Sequence, residues 1–105
     1  MIPFKVYRIL NESLGKFLFL QFKTVFEYFH PTFSRNGKTI NFKGINKIDM
    51  DGLIITLQKF FSKEGVKLKN DLGHLADYKL SDDTFISIKT PKPNGRRFDI
   101  EVEIV

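Results

Sequence analysis

The chain has 105 residues and no cysteine, and 17 basic against 12 acidic side chains give it a net charge of +5. This length suits one domain, residues 1–105, built around a single core. Without cysteine, disulfides and thiolate chemistry are excluded and a structural zinc site is disfavoured. The sequence lacks a secretory signal and an apolar stretch of about 20 residues, which predicts no membrane partner and a cytoplasmic or other reducing intracellular location, an organelle matrix included.

Phenylalanine is unusually frequent, with twelve copies and no tryptophan. Each buried phenylalanine contributes roughly 1.5–3 kcal/mol to folding. We therefore predict a phenylalanine-packed core, the alternative being an exposed surface on which bases stack.

The first third of the chain is predicted to hold a strand and then a helix. Residues 4–10 alternate imperfectly between apolar and polar, as in a strand. Over residues 13–29 the apolar side chains are three and four apart, which predicts a helix, although 17–22 would also suit a buried strand. The helix ends at His30, because a residue that precedes proline is disfavoured in helical conformation. We interpret His30 as helix-terminal and not as a metal ligand.

A hairpin and a second helix are predicted next. Asn36 and Gly37 favour a tight type I′ turn, with Phe33 before it and a strand over 38–43 after it. The second helix has apolar side chains three and four apart at Met50, Leu53, Ile54, Leu57, Phe60 and Phe61.

The ends of this second helix are predicted from its polar residues and its glycine. Asp49 or Asp51 is the predicted N-cap, an interpretation preferred to a magnesium pair. Gly65 is predicted to end the helix as a left-handed C′ residue.

Residues 66–69 are predicted to form a short strand and 71–78 a short third helix, with Leu72, Leu75 and Ala76 facing inward. This order of elements also suits a winged helix, in which 71–78 would be the recognition helix. That alternative is disfavoured because the segment carries no arginine and no internal lysine for a phosphate-lined groove.

The last 22 residues are predicted to form a β-hairpin, since apolar and acidic side chains alternate from residue 98 to 104. A five-residue loop over 91–95 would set Ile88 opposite Phe98 and Lys89 opposite Arg97. Facing like charges are destabilising, so this tip would suit an anionic partner or a loose end.

Positive charge is concentrated in the N-terminal half, where residues 1–48 carry eight basic and two acidic side chains. Residues 30–47 contain no acid and interleave cations with aromatic rings, a pattern that suits single-stranded nucleic acid. The alternative is that Phe33 and Phe42 point inward from a hairpin and that the lysines only make the surface soluble. The hairpin tip adds a smaller basic group. The predicted nucleic-acid-binding residues are Arg35, Lys38, Phe42, Lys43, Lys47, Lys92, Arg96 and Arg97.

Catalytic residue types come together at one place, where Asp71, His74 and Asp77 are three residues apart. On a helix this spacing would bring the imidazole near a carboxylate, as in a general base or a metal site, but the preferred interpretation is a solvated helix face with a charge-paired histidine. Phosphate-loop, dinucleotide, zinc-protease, serine-hydrolase and calcium-loop motifs are absent. We therefore predict a non-enzymatic protein without cofactor or metal, the alternative being a small nuclease whose acidic residues come together only in the folded chain.

Together these patterns predict an α+β fold with two amphipathic helices packed on a small antiparallel sheet that ends in a C-terminal hairpin. The predicted function is binding of RNA or single-stranded DNA. The alternative is a protein-interaction module, such as a subunit of a larger assembly or a phage or mobile-element inhibitor, that docks through the hairpin edge.

Overall fold

The computed structural model describes residues 16–80 and 83–105. Its helices are α1 (Lys16–Phe26), followed by a 3-10 turn (Glu27–Phe29), and α2 (Lys47–Glu64). Its strands are β1 (Thr32–Phe33), β2 (Thr39–Ile45), β3 (Gly65–Leu68), β4 (His74–Leu80), β5 (Phe85–Lys89), β6 (Lys92–Asn94) and β7 (Arg97–Ile104). The strand predicted over 4–10 lies outside the described residues.

All seven strands belong to one antiparallel sheet with the order β1-β2-β7-β5-β4-β3, and β6 pairs with β7 next to β5. In the described part of the chain, two helices accompany this sheet. The α+β prediction is therefore confirmed.

One face of the sheet is apolar because alternate residues of each strand point to the same side. A cross-strand row of fully buried side chains runs from Ile40 through Val102 and Ile88 to Ala76. Both helices cover this inner face: the Phe26 ring lies 5.9 Å from Phe42, and the Phe61 ring 6.1 Å from Tyr78.

Phenylalanine dominates the layer between helices and sheet, as predicted. The ring of Phe22 lies 4.4 Å from Phe26, 5.5 Å from Phe60 and 6.1 Å from Phe61, so it links α1 to α2. Such tilted and edge-on pairs add stabilisation beyond the area that they bury.

The first helix ends where the sequence predicts. His30 follows the 3-10 turn in left-handed conformation, with φ 51°, and its N–H bonds the Glu27 carbonyl. Phe22 and Phe26 are buried and Phe29 packs against the core, but Val25, also predicted to face inward, is 47% exposed.

The second helix has the predicted apolar face, with Leu53, Leu57 and Phe61 buried. Its N-cap, however, is Asn46, whose side chain accepts from the Asp49 N–H at 2.8 Å. The prediction of Asp49 or Asp51 as the cap was wrong because the helix begins at Lys47, three residues before the first residue of the apolar pattern, Met50.

Gly65 also differs from its predicted role. Its φ of −162° is extended and not left-handed, so α2 passes directly into β3. Glycine is needed here for space: a Cβ would collide with the carbonyl oxygen of Lys79, and Leu80 Cδ2 would lie 2.9 Å from it.

The prediction of a third helix over residues 71–78 was wrong, because residues 74–78 belong to strand β4. Ala76, Tyr78 and Leu80 point into the core while Lys79 is exposed, which is the alternation of a strand. Leu72, predicted to face inward, lies before β4 and is fully exposed. The winged-helix alternative thereby loses its recognition helix.

The pairing of the last strands is shifted from the prediction. Ile88 lies opposite Val102 and Ile86 opposite Ile104, four residues along β7 from the predicted register. The segment predicted as a five-residue loop contains β6, so Lys89 pairs with His74 and not with Arg97.

The turn at Asn36 and Gly37 is longer than predicted. Phe33 pairs with Ile40, and Ser34 N–H bonds the Thr39 carbonyl, so four residues form the loop. Gly37, with φ 67°, is its left-handed residue. The two strands on either side of the loop agree with the prediction.

Within residues 16–80 and 83–105, neither helix combines the length and apolarity needed to span a bilayer.

Candidate nucleic-acid interface

Seven of the eight predicted binding residues are exposed cations, and the eighth is not available. Phe42 is fully buried against Phe22 and Phe26, so it cannot stack on a base. Phe33 is half-buried and packs against the core. These positions agree with the alternative in which Phe33 and Phe42 point inward, and Phe42 shares the buried face of Ile40 along β2. The cations exposed at the surface are Arg35, Lys38, Lys43, Lys47, Lys92, Arg96 and Arg97.

The structure separates these cations into two groups. Arg35 and Lys38 lie at the β1–β2 loop, next to the C-terminal end of β7, where Ile104 N–H bonds the Lys38 carbonyl. Lys43 lies five residues further along β2, roughly 15 Å away at the rise of a strand. The second group, at the opposite end of β7, contains Lys43, Lys47, Lys92, Arg96 and Arg97.

A β-bulge presents Lys43 on the outer face. Phe42 pairs with Ile100 and Ile45 with Phe98, so β2 has one more residue here than β7. Gly44, with φ 67°, supplies the left-handed residue that such a bulge requires. The bulge turns both Phe42 and Ile45 inward, leaving Lys43 outside.

Two side chains of β7 fix the bulge. Asp99 accepts the Gly44 N–H at 3.0 Å, and Arg97 donates to the Gly44 carbonyl at 3.0 Å. The Arg97 guanidinium has five N–H donors, so this one bond leaves it able to bind an anion as well. Asp99, one of the acidic residues that alternate along β7, therefore has a structural role.

The first of two adjoining pockets, here called the Tyr28 pocket, has a volume of about 300 Å³. The 3-10 turn supplies Tyr28, Phe29 and His30, and Lys43 and Arg97 come from the sheet. Tyr28 is 70% exposed, and its ring meets Phe29 edge-on at 5.1 Å. An exposed ring therefore shares a pocket with two cations, and Asp49 contributes one carboxylate to the same lining.

Sequence reasoning missed Tyr28, although a signal for it existed. Phe22, Phe26 and Phe29 mark the inward stripe of the predicted helix, and Tyr28 is off that stripe. A large aromatic ring outside the apolar stripe is expected at the surface.

The second pocket, here called the sheet pocket, lies on the outer face and has a volume of about 370 Å³. Lys43 lines both pockets, so the two adjoin. Lys89 and Lys92 contribute further positive charge, and Asp99 and Glu101 contribute negative charge. The pocket is therefore mixed in sign, unlike a simple phosphate site.

A chain of hydrogen bonds holds Lys89 at the wall of the sheet pocket. Its ammonium lies 2.9 Å from His74 Nε2, and His74 Nδ1 lies 2.9 Å from Asp77 Oδ1. An ammonium group can only donate hydrogen bonds, so His74 Nε2 accepts from Lys89. His74 Nδ1 therefore carries the proton and donates a hydrogen bond to the Asp77 carboxylate.

A second bulge explains how residues three apart in a strand share a face. His74 pairs with Lys89 and Ala76 with Ile88, so Leu75 is the extra residue. The contact between His74 and Asp77 that the sequence predicted on a helix is therefore present on a strand.

Asp77 is buried and ionised in this network. Burial acts to raise the pKa of Asp77, but hydrogen bonds from the Asp71 N–H, the Ser87 hydroxyl and His74 outweigh it, so the pKa lies below its ordinary value. The Asp71 N–H bond measures 3.1 Å.

Asp71, His74 and Asp77 are also the group of described residues with metal-ligand spacing, their ligand atoms lying within 4.8 Å of one another. Both nitrogens of His74 already have partners, one of them a cation. An ammonium next to a metal ion would be repelled, so the geometry favours the hydrogen-bonded chain.

Comparison with known proteins finds no matching family model, no matching curated protein and no matching solved structure.

Proposed function

We propose that this protein binds single-stranded nucleic acid, RNA or DNA, at the Tyr28 pocket. One base stacks on the Tyr28 ring, and the flanking phosphates contact Lys43 and Arg97. The observation that carries the proposal is the exposed ring of Tyr28 beside these two cations.

Stacking and charge supply different parts of the affinity. A stacked base contributes about 1–3 kcal/mol and does so with little regard to sequence. Phosphate contacts release counterions, which makes binding weaken as salt rises. Lys47 and Arg96, exposed next to the pocket residues Asn46 and Arg97, add long-range attraction.

Substitutions separate the two contributions. The affinity of a labelled oligonucleotide would be measured by fluorescence anisotropy at several salt concentrations. Lys43→Ala should flatten the plot of log affinity against log salt by about 0.7, the effect of one phosphate contact on a single strand. Tyr28→Ala should lower affinity at every salt concentration by a factor of about 5 to 150 without altering the slope.

The matched control is Lys59→Ala, which removes an exposed lysine from α2 and lies outside both pockets. Its affinity and salt slope should equal those of the unaltered protein. Absence of oligonucleotide binding at low salt, or equal effects of Lys43→Ala and Lys59→Ala, would contradict the proposal.

The protein-interaction alternative requires a different surface from the one predicted. Strand β7 is paired on both sides, with β2 on one and with β5 and β6 on the other, so it offers no edge. Among the described residues β1, β3 and β6 each have one unpaired side, and β3 is the longest of the three, with Val66 68% exposed. A partner strand could pair there, and failure of oligonucleotide binding would favour this candidate.

A further inference from the structure

We propose, on the basis of the proposed function, that the sheet pocket reads the neighbouring base and prefers cytosine to thymine or uracil. Glu101 is the specificity-determining residue. The inference arises from the mixed charge of this pocket, which phosphate binding alone does not explain.

The position of the pocket follows from Lys43, which lines both pockets. A strand with one base on Tyr28 and a phosphate at Lys43 extends its next nucleotide into the sheet pocket. Lys92 lies there opposite Asp99 in the β6–β7 pairing, and the His74 ring holds Lys89 at the wall. These two lysines face the next phosphate.

The carboxylates of the pocket are not equivalent. Asp99 accepts from Gly44 N–H and lies 3.3 Å from the Asn94 amide, so it serves the bulge. Glu101 has neither a hydrogen bond nor an ion pair with the described residues, and it is half-buried on the outer face. A half-buried carboxylate without such a partner can accept hydrogen bonds from a ligand.

Asn41 lies directly opposite Glu101 in the β2–β7 pairing and also lines the pocket. Together they offer an acceptor beside an amide donor. Cytosine has the complementary edge, since its N4 amino group donates and its N3 and O2 accept. Thymine and uracil would place the O4 acceptor against the Glu101 carboxylate, which is unfavourable.

The test compares oligothymidine with an oligomer of equal length in which alternate thymines are replaced by cytosine. The unaltered protein should bind the cytosine oligomer at least about fivefold more tightly, the size of one good base contact. Glu101→Gln should reduce this ratio to near one, because a glutamine amide can rotate to suit either base.

The control is Glu103→Gln, which removes a carboxylate two residues away on the same strand and face, outside the pocket lining; because Glu103 lies 3.9 Å from Lys89, this variant should change the affinity for both oligomers by the same factor. It should keep the cytosine preference. The inference would be overturned if the unaltered protein bound the two oligomers with equal affinity. It would also be overturned if Glu101→Gln and Glu103→Gln each raised the affinity for both oligomers by the same factor. Either result would leave the proposed function in place. Absence of binding to either oligomer would overturn both.

Discussion

Asp77 shows how a single ionised side chain can organise a polar surface. It accepts from the Asp71 backbone and from Ser87, and it orients His74, which in turn holds Lys89. A buried carboxylate is stable only with such partners. The positions of His74 and Lys89 on the outer face of the sheet therefore depend on the buried carboxylate of Asp77.

This arrangement predicts a stability loss that depends on pH. Asp77→Asn should cost about 1–3 kcal/mol at pH 7, because it leaves buried donors without a charged acceptor. Since the folded pKa of Asp77 is lowered, its contribution is present above the unfolded value of about 4 and is lost as pH falls through the folded value. Urea unfolding of both proteins across this range would measure it.

Asp51→Asn is the matched control, because Asp51 is exposed on α2. Its effect should stay within about 0.5 kcal/mol at every pH. If Asp77→Asn lost the same free energy at pH 2 as at pH 7, the charge of Asp77 would not be its stabilising property.

The junction between α2 and β3 requires glycine, because there is no space for a side chain at residue 65. A Cβ at Gly65 would meet the Lys79 carbonyl across the β3–β4 pair, so the two strands would have to move apart. Gly65→Ala should destabilise the protein by about 1–3 kcal/mol, the usual cost of forcing atoms into a packed site. Thermal unfolding would measure the change.

Gly52→Ala provides the opposite expectation within α2. Apart from the adjoining residues and the backbone of the helix itself, nothing lies within 4 Å of the Cβ that it would add, so it should stabilise the helix by up to about 1 kcal/mol. Two Gly→Ala changes of the same sign would contradict the close contact at Gly65.

At the level of elements, periodicity was sufficient where many residues contributed to it. The apolar face of α2 and the alternation in β2 were readable because each pattern is repeated several times. The segment 71–78 is short, and Leu72, Leu75 and Ala76 have helical spacing by coincidence. Its alternating residues from Ala76 to Leu80 predicted a strand equally well.

The candidate interface was harder to predict, because it depends on bulges and on side chains distant in sequence. No local sequence pattern predicts that Gly44 adopts a left-handed conformation, because the side chains that fix it, Asp99 and Arg97, are more than 50 residues away. The register between β5 and β7 was predicted wrongly because β6 and its turn were interpreted as loop. Exposed cations were predictable, but their grouping was not.

At the scale of the whole molecule, one continuous group of buried side chains joins α1, α2 and the sheet. Phe42 belongs to this group, and its ring packs near those of both Phe22 and Phe26. Phe42→Ala should therefore cost about 3–5 kcal/mol of stability. Chemical unfolding would measure this loss.

Conservative substitutions at Phe42 and at Tyr28 distinguish a residue of the core from a residue of the proposed interface. Phe42→Leu keeps most of the buried volume, so the variant should stay folded and bind oligonucleotide within about twofold of the unaltered protein. Tyr28→Leu makes a comparable change at the surface and should weaken binding by at least about fivefold. A larger affinity loss for Phe42→Leu than for Tyr28→Leu would contradict this division.

The two outer strands of the sheet bear on how the protein behaves when concentrated. In the described chain, β1 has only two residues, and β3 carries Lys67, with Lys69 just beyond it. Very short edges and edge lysines hinder strand pairing between molecules, because they offer few hydrogen bonds and bring like charges together. We expect both features to reduce edge-to-edge association between copies of this chain.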